Sequence, residues 1–151
     1  MATLTPSTIH LRGELVVKER NAAGAITPGH LVTLNTTNGV VVHAGAELNA
    51  YPWFAMEQDF VGKDLNRAYI SGERVQIACE GRCSEVYALL PAAALAVVIG
   101  DELVSNGDGT LKKVTAAVVA VNNIRRVVAR ALEAVDNSAG GVPARIRVEI
   151  V

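Results

Sequence analysis

Glu73-Arg74-Val75-Gln76-Ile77-Ala78-Cys79 puts Val75, Ile77 and Cys79 on one side and Arg74 and Gln76 on the other, which is the two-residue repeat of a half-buried strand. Glu80-Gly81-Arg82 reads as a turn and Cys83 to Leu90 as the returning partner, so a three-residue loop would bring Cys79 opposite Cys83. The same alternation recurs at Arg145-Ile146-Arg147-Val148-Glu149-Ile150 and, less strictly, at Glu14-Leu15-Val16-Val17-Lys18. Between these lie turn signals. Pro28-Gly29 joins a preset φ to a residue that accepts a positive one. Asn38-Gly39, between His30–Leu34 and Val40–His43, predicts a hairpin through a mirror-image turn. Ser105 to Gly109 separates Asp101–Val104 from Thr110–Lys113 as a further hairpin, and Asp136 to Gly141 reads as a loop. About 15% of residues are valine, which favours strands. The chain is expected to be mainly all-β.

Two segments stay open on periodicity. Ala92–Ile99 reads as a short helix or a buried strand, and Ile124–Val135 would also line a helix face with Val127, Val128, Ala131, Leu132 and Val135. Tyr51-Pro52-Trp53-Phe54-Ala55-Met56-Glu57 gathers the single Trp and one of two Phe residues, as core or as contact surface. Gln58 to Ser71 reads as a long connection.

A chain of 151 residues with 50% apolar and 19% charged side chains can bury about two-thirds of its surface as one domain. The net charge of -1 argues against nucleic-acid binding, which calls for a basic excess. Residues 1–110 hold seven basic and twelve acidic side chains and 111–151 seven and three. That asymmetry is either solvated surface or an attraction between the ends of the chain or between copies. Tyr87 to Gly100, the longest apolar stretch, is interrupted by Pro91 and is too short to span a bilayer. Met1 to Thr8 lacks the basic start and apolar centre of a secretory signal, so synthesis in a cytoplasm is expected. Cys79 and Cys83, without C-x-x-C spacing or further ligands, are expected as thiols.

No catalytic constellation is legible. His30 and His43 approach each other across the expected hairpin but lack a carboxylate at ligand spacing, so no metal is expected. Asn106-Gly107-Asp108-Gly109 is similar to part of a calcium loop, yet Val104 and Thr115 occupy the first and twelfth positions, and a turn is the better reading. Glu57 and Asp59 would share an exposed strand face. No nucleophile elbow, phosphate loop or dinucleotide fingerprint occurs. Neither enzymatic activity nor a cofactor is expected.

The order of several motifs is more informative than any one of them. Gly24-Ala25-Ile26-Thr27-Pro28-Gly29-His30-Leu31-Val32, Glu57-Gln58-Asp59-Phe60-Val61-Gly62-Lys63-Asp64, Tyr69-Ile70-Ser71-Gly72-Glu73-Arg74-Val75, Gly100-Asp101-Glu102-Leu103-Val104 with Asn106-Gly107-Asp108-Gly109-Thr110, and Ala129-Arg130-Ala131-Leu132-Glu133-Ala134-Val135 follow one another in that order. Over about residues 12–151 the chain resembles the head decoration, or capsid cement, proteins of tailed bacteriophages. The resemblance implies a small β-barrel or sandwich-like domain over 12–151, with a strand rather than a helix at 127–135. It also implies attachment to the outer face of the major capsid protein lattice, a homotrimer first and a dimer second, and no catalytic residues.

Met1 to Leu11 would then be an extended N-terminal arm. Uncharged through Ile9 and apolar only at Leu4 and Ile9 among Thr, Ser and Pro residues, it would add as a strand to a capsid sheet edge, or else fray or fold into its own domain. The expected capsid or oligomer contacts are Leu4, Thr5, Pro6, Ile9, Tyr51, Trp53 and Phe54. The alternative from another class is a virion β-domain of a tail or spike that binds a receptor or glycan through Tyr51, Trp53 and Phe54.

Overall fold

The computed structural model describes residues 5–58, 61–62, 64–115 and 127–151. Thirteen strands and no α-helix occur among them: β1 (His10–Arg12), β2 (Leu15–Asn21), β3 (Val32–Leu34), β4 (Val40–Val42), β5 (Trp53–Ala55), β6 (Arg74–Glu80), β7 (Glu85–Leu90), β8 (Ala94–Val97), β9 (Glu102–Ser105), β10 (Leu111–Lys113), β11 (Ala129–Ala131), β12 (Val135–Asn137) and β13 (Ala144–Ile150). They form a six-stranded sheet, β1-β7-β13-β11-β9-β10, a three-stranded sheet, β2-β6-β5, and two pairs, β12-β8 and β3-β4. All the strand pairings are antiparallel and none of these sheets closes into a barrel. The fold is all-β and sandwich-like, without the barrel closure that the resemblance also allowed.

Alternation along the strands builds two cores. Val86, Ala88 and Leu90 of β7 lie beside Ile146 and Val148 of β13, and with Leu103, Leu111, Ala129 and Ile150 they fill the first. Val75 and Ile77 of β6 pack with Ala55, Val32, Val40, Ile26 and Tyr69 in the second. β5 serves both, because neighbouring residues point to opposite faces: Phe54 enters the first core and Ala55 the second. The Thr27-Pro28-Gly29-His30 turn, closed by His30 N–H to the Thr27 carbonyl at 3.0 Å, is as expected. Gly29 has φ +93, and a Cβ there would stand 2.7 Å from an Arg145 nitrogen. That guanidinium donates to the carbonyls of Pro28 (3.0 Å) and Leu65 and stands over the Tyr87 ring.

The expected hairpin between the strand at 73–79 and the strand at 83–90 does not form. β6 is a central strand whose two edges are taken by β2 and β5, so β7 has no edge of β6 to join. Cys83, at φ 63, turns the corner; its N–H donates to the Ile150 carbonyl and Ile150 N–H donates to the Ser84 carbonyl, both at 2.9 Å. β13 thus captures the chain. Cys79 stands opposite Val16 and Trp53, while Cys83 is exposed; both are free thiols.

Other expectations shift in detail. β3 and β4 do form a hairpin, but through the five residues Asn35–Gly39 rather than a two-residue turn, because Asn35 Oδ1 accepts from the Thr37 and Gly39 amides and organises the loop itself. The β9–β10 hairpin and β13 stand where alternation placed them. The open segment 92–99 contains strand β8, paired with β12, which takes Asp136 and Asn137 out of the expected loop. The strand expected at 127–135 forms only in part: Ala129–Ala131 is β11 and Val135 opens β12, while 127–128 and 132–134 are not strand, and 124–126 lie outside the described residues.

The expected arm over 1–11 also needs correction. β1 pairs with β7, and the Ile9 carbonyl accepts from Tyr87 N–H at 2.8 Å. Ile9 is wholly buried in the first core. Residues 9–11 therefore belong to the domain, since an apolar side chain beside two strands gains more from burial than from an extended exit. Of the rest of the arm, residues 5–8 carry no strand and 1–4 lie outside the described residues.

Candidate contact surface

Tyr51, Trp53 and Phe54 do not act as one cluster. Phe54 is fully buried and removed from any surface. Tyr51 is 71% exposed and its ring stacks on Trp53, centroids 5.3 Å apart and 24° from parallel. Trp53 is half-buried against the second core, with the Lys18 ammonium 4.6 Å from its ring centre. Register explains the grouping: Val16, Cys79 and Trp53 are directly opposite across β2, β6 and β5 and share one face. Val16 is 54% exposed. One end of this face is thus an open strip of Tyr51, Trp53 and Val16, with Lys18 at its side. Burial raises the Cys79 thiol pKa against the pull of Lys18, which favours the neutral thiol.

Among the other expected contacts, Thr5 is exposed, Pro6 half-buried, Ile9 inaccessible, and Leu4 outside the described residues. Sequence reasoning missed a second apolar surface around β8. Leu95, Val98, Ile99 and Val142 are all more than half exposed. Ile99 stands on the Val98–Asp101 turn, where Asp101 N–H donates to the Val98 carbonyl at 3.1 Å and Val98 N–H to the Asp101 carboxylate at 2.8 Å. A signal was present, because Gly100-Asp101 marks a turn, and an isoleucine just before it has no neighbouring strand to bury it.

Several buried polar groups among the described residues are tied into the fold. His43 Nε2 lies 3.1 Å from the Asn49 carbonyl, so it carries the proton, and Nδ1 accepts from Ser105 Oγ at 2.8 Å. A hydroxyl-to-imidazole relay of this kind resembles a hydrolase dyad, but Ser105 is fully buried and no substrate carbonyl can reach it. The pair fastens the 44–49 loop to β9. His30 Nδ1 accepts from Thr27 N–H at 3.1 Å, and burial lowers its pKa, so His30 and His43 serve separate loops rather than one site. Glu57, expected on an exposed strand face, is buried and accepts Ile9 N–H at 2.9 Å; Asp59 lies outside the described residues. Glu80, its side chain wholly buried, holds His10 Nδ1 at 3.0 Å and so links β6 to β1. Asp108 caps its own turn by accepting from the backbone N–H and hydroxyl of Thr110 and from the side-chain Nδ2 of Asn106. Burial raises its pKa, but those bonds outweigh it and hold the carboxyl below its usual range. Among the described residues no group of three or more His, Cys, Asp or Glu side chains is placed to hold a metal, and no helix is long and apolar enough to cross a membrane.

No family model matches this chain, and no curated protein is detectably similar to it.

Proposed function

We propose that this chain is a structural virion protein that binds the outer surface of a tailed-phage capsid and stabilises the head by bridging capsomers, with the major capsid protein and further copies of itself as partners. The observation that carries the reading is the ordered series of motifs through which the sequence resembles head decoration proteins. Within the described residues, six of the seven glycines with positive φ fall inside those motifs, Gly13 alone lying outside. The resemblance therefore rests on positions that set the path of the chain rather than on scattered surface residues. A bridging protein also needs more than one contact surface, and the Tyr51–Trp53–Val16 strip and the apolar residues around β8 lie on different sheets. Many modest contacts repeated over a lattice then add by multivalency without one deep site. The reading involves no catalytic step, cofactor, nucleic acid or membrane.

The exposure of Tyr51 favours one other reading, a receptor- or glycan-binding module of the virion, since sugars stack on open aromatic rings. Support for it is narrower, because Phe54 is buried and the Trp53 ring is already engaged by Tyr51 and Lys18. The test mixes the purified chain with mature heads of the phage that encodes it. Stoichiometric co-sedimentation and added density on the outer shell are expected. Heads that bind none of the chain while a glycan array captures it, with capture lost in Tyr51→Ala, would replace the first reading by the second.

A further inference from the structure

The longest open strand edge among the described residues belongs to β2. It is outermost in β2-β6-β5, and every residue from Val16 to Asn21 is exposed. The hydrogen-bond directions follow from β6. Met56 N–H donates to the Gln76 carbonyl and Glu80 N–H to the Pro52 carbonyl, so the even-numbered residues of β6 bond toward β5. Val75, Ile77 and Cys79 bond toward β2, where they face Arg20, Lys18 and Val16. Leu15, Val17 and Glu19 therefore direct their amides and carbonyls outward, away from the sheet. Natural edges are normally blunted by charge, proline or a bulge. Here the first half, Leu15-Val16-Val17, has no charge or proline, and the β2–β6 register runs without a bulge. In the second half the outward Glu19 carbonyl is occupied, among the described residues, only by its neighbour, the Arg20 guanidinium, at 2.7 Å.

We propose that the β2 edge pairs antiparallel with the β2 edge of a second copy, about a two-fold axis at Val17, joining two three-stranded sheets into one of six. Charge complementarity selects both the occupant and the register. A two-fold axis normal to a continuous sheet places residues of the same face opposite one another, so a residue rather than a peptide bond pair lies at the centre. Centring on Lys18 would oppose two like charges directly, which is destabilising. Centring on Val16 leaves the outward groups of Glu19 without a strand to pair with. Centring on Val17 sets Val17 against Val17, Val16 against Lys18, Leu15 against Glu19, and Glu14 against Arg20, with no like charges opposed and the Glu14–Arg20 pair formed twice.

In that arrangement the Glu19 carbonyl accepts Leu15 N–H of the second copy, and Arg20 is released to meet Glu14 of the second copy. Space exists for it, because a groove of about 390 Å³ lies between the end of β2 and the Thr37–Gly39 loop, with Arg20 and Arg74 in its walls. This inference does not rest on attachment to a capsid. An edge-to-edge contact this small belongs to the weak class of interfaces.

Sedimentation equilibrium of the full chain up to roughly millimolar concentration tests it. A monomer–dimer equilibrium is expected, weakened about tenfold or more by Val17→Lys, by Glu14→Arg and by Arg20→Glu singly. The double variant Glu14→Arg/Arg20→Glu restores it, since the swapped charges again face one another. Thermal melts check that each variant is folded; all three positions are exposed. A chain that stays monomeric throughout, a self-association indifferent to Val17→Lys, or a double variant no better than the singles would overturn the proposal.

Discussion

Truncating Ile9 to alanine is the sharpest probe of where the N-terminal segment belongs. Ile9 is fully buried, packs in the first core, and lies 3.4 Å from the position a Gly29 Cβ would take. Its main chain is held on both sides, by the Glu57 carboxylate and by Tyr87 N–H. The backbone therefore cannot sink inward to fill the space that the lost methyl and methylene groups leave. Buried Ile→Ala changes cost about 2–5 kcal/mol, more where the site cannot collapse, and this anchoring places Ile9→Ala at about 3–4 kcal/mol. For a chain of this length each kcal/mol moves the midpoint by about 2–4 °C, so a fall of roughly 6–16 °C is expected. Guanidinium titration followed by circular dichroism, with the denaturant slope unchanged, gives the free energy directly. Deleting Met1 to Ile9 should be worse still, because it also strips Glu57 of a donor in a buried site. Deleting only Met1 to Ser7 should change stability by less than about 0.5 kcal/mol. An Ile9→Ala loss below about 1 kcal/mol would refute the reasoning and return Ile9 to a partner-reaching arm.

Tyr51→Ala should leave stability within about 0.5 kcal/mol of the parent, since the side chain is exposed. Attachment to heads should weaken, and unchanged attachment would remove the strip from the contact surface. Glu80 should make stability fall with rising pH: burial raises its carboxyl pKa above the unfolded 4.5 despite the opposing pull of His10, so the folded state holds the proton more tightly. Its contribution is full below about pH 4.5 and is lost as pH rises through the folded pKa. Comparing the chain with Glu80→Gln should show that slope disappear, and an equal slope in both would refute the assignment. Cys83, exposed on its corner, should react with a thiol reagent before Cys79, whose thiol burial holds up. Equal rates would contradict the placement of the two residues on separate elements.

What could be read from the sequence was what local pattern determines. The alternation of 145–150 and of 73–79 has one physical solution, a strand with one side buried, and both strands are there. Pro28-Gly29 and the 105–109 turn were legible for a similar reason, because few residue types meet their backbone demands. The partner of β6 was not. Which strand fills an edge depends on competition among all strands for it. Leu15–Asn21 and Trp53–Ala55 occupy the two edges of β6, and nothing between Glu80 and Cys83 announces that the chain will leave for another sheet. Ile9 was obscured in the same way, as its partners Glu57 and Tyr87 lie 48 and 78 positions away.

The aromatic segment shows how a local rule, applied further, separates core from surface. Period-two alternation at 51–55 already puts Tyr51, Trp53 and Ala55 on one side and Phe54 on the other. Only one side can then serve as a contact surface if the other meets the first core. Deciding which is which takes the register, since Trp53 stands opposite Cys79 and Cys79 opposite Val16, and Val16 lies on an edge strand with no further strand beside it among the described residues. The strip is open at this end because β2 is an edge, and the same fact leaves the outward amides and carbonyls of Leu15 and Val17 without a strand partner among the described residues. A partner strand laid along that edge would lengthen the strip through Val16 and Lys18 without covering Tyr51, which lies on the far side of β6. Self-pairing at β2 and attachment through Tyr51 are therefore compatible on one molecule. Substitutions at Val17 and at Tyr51 should separate the two, each removing one association and sparing the other.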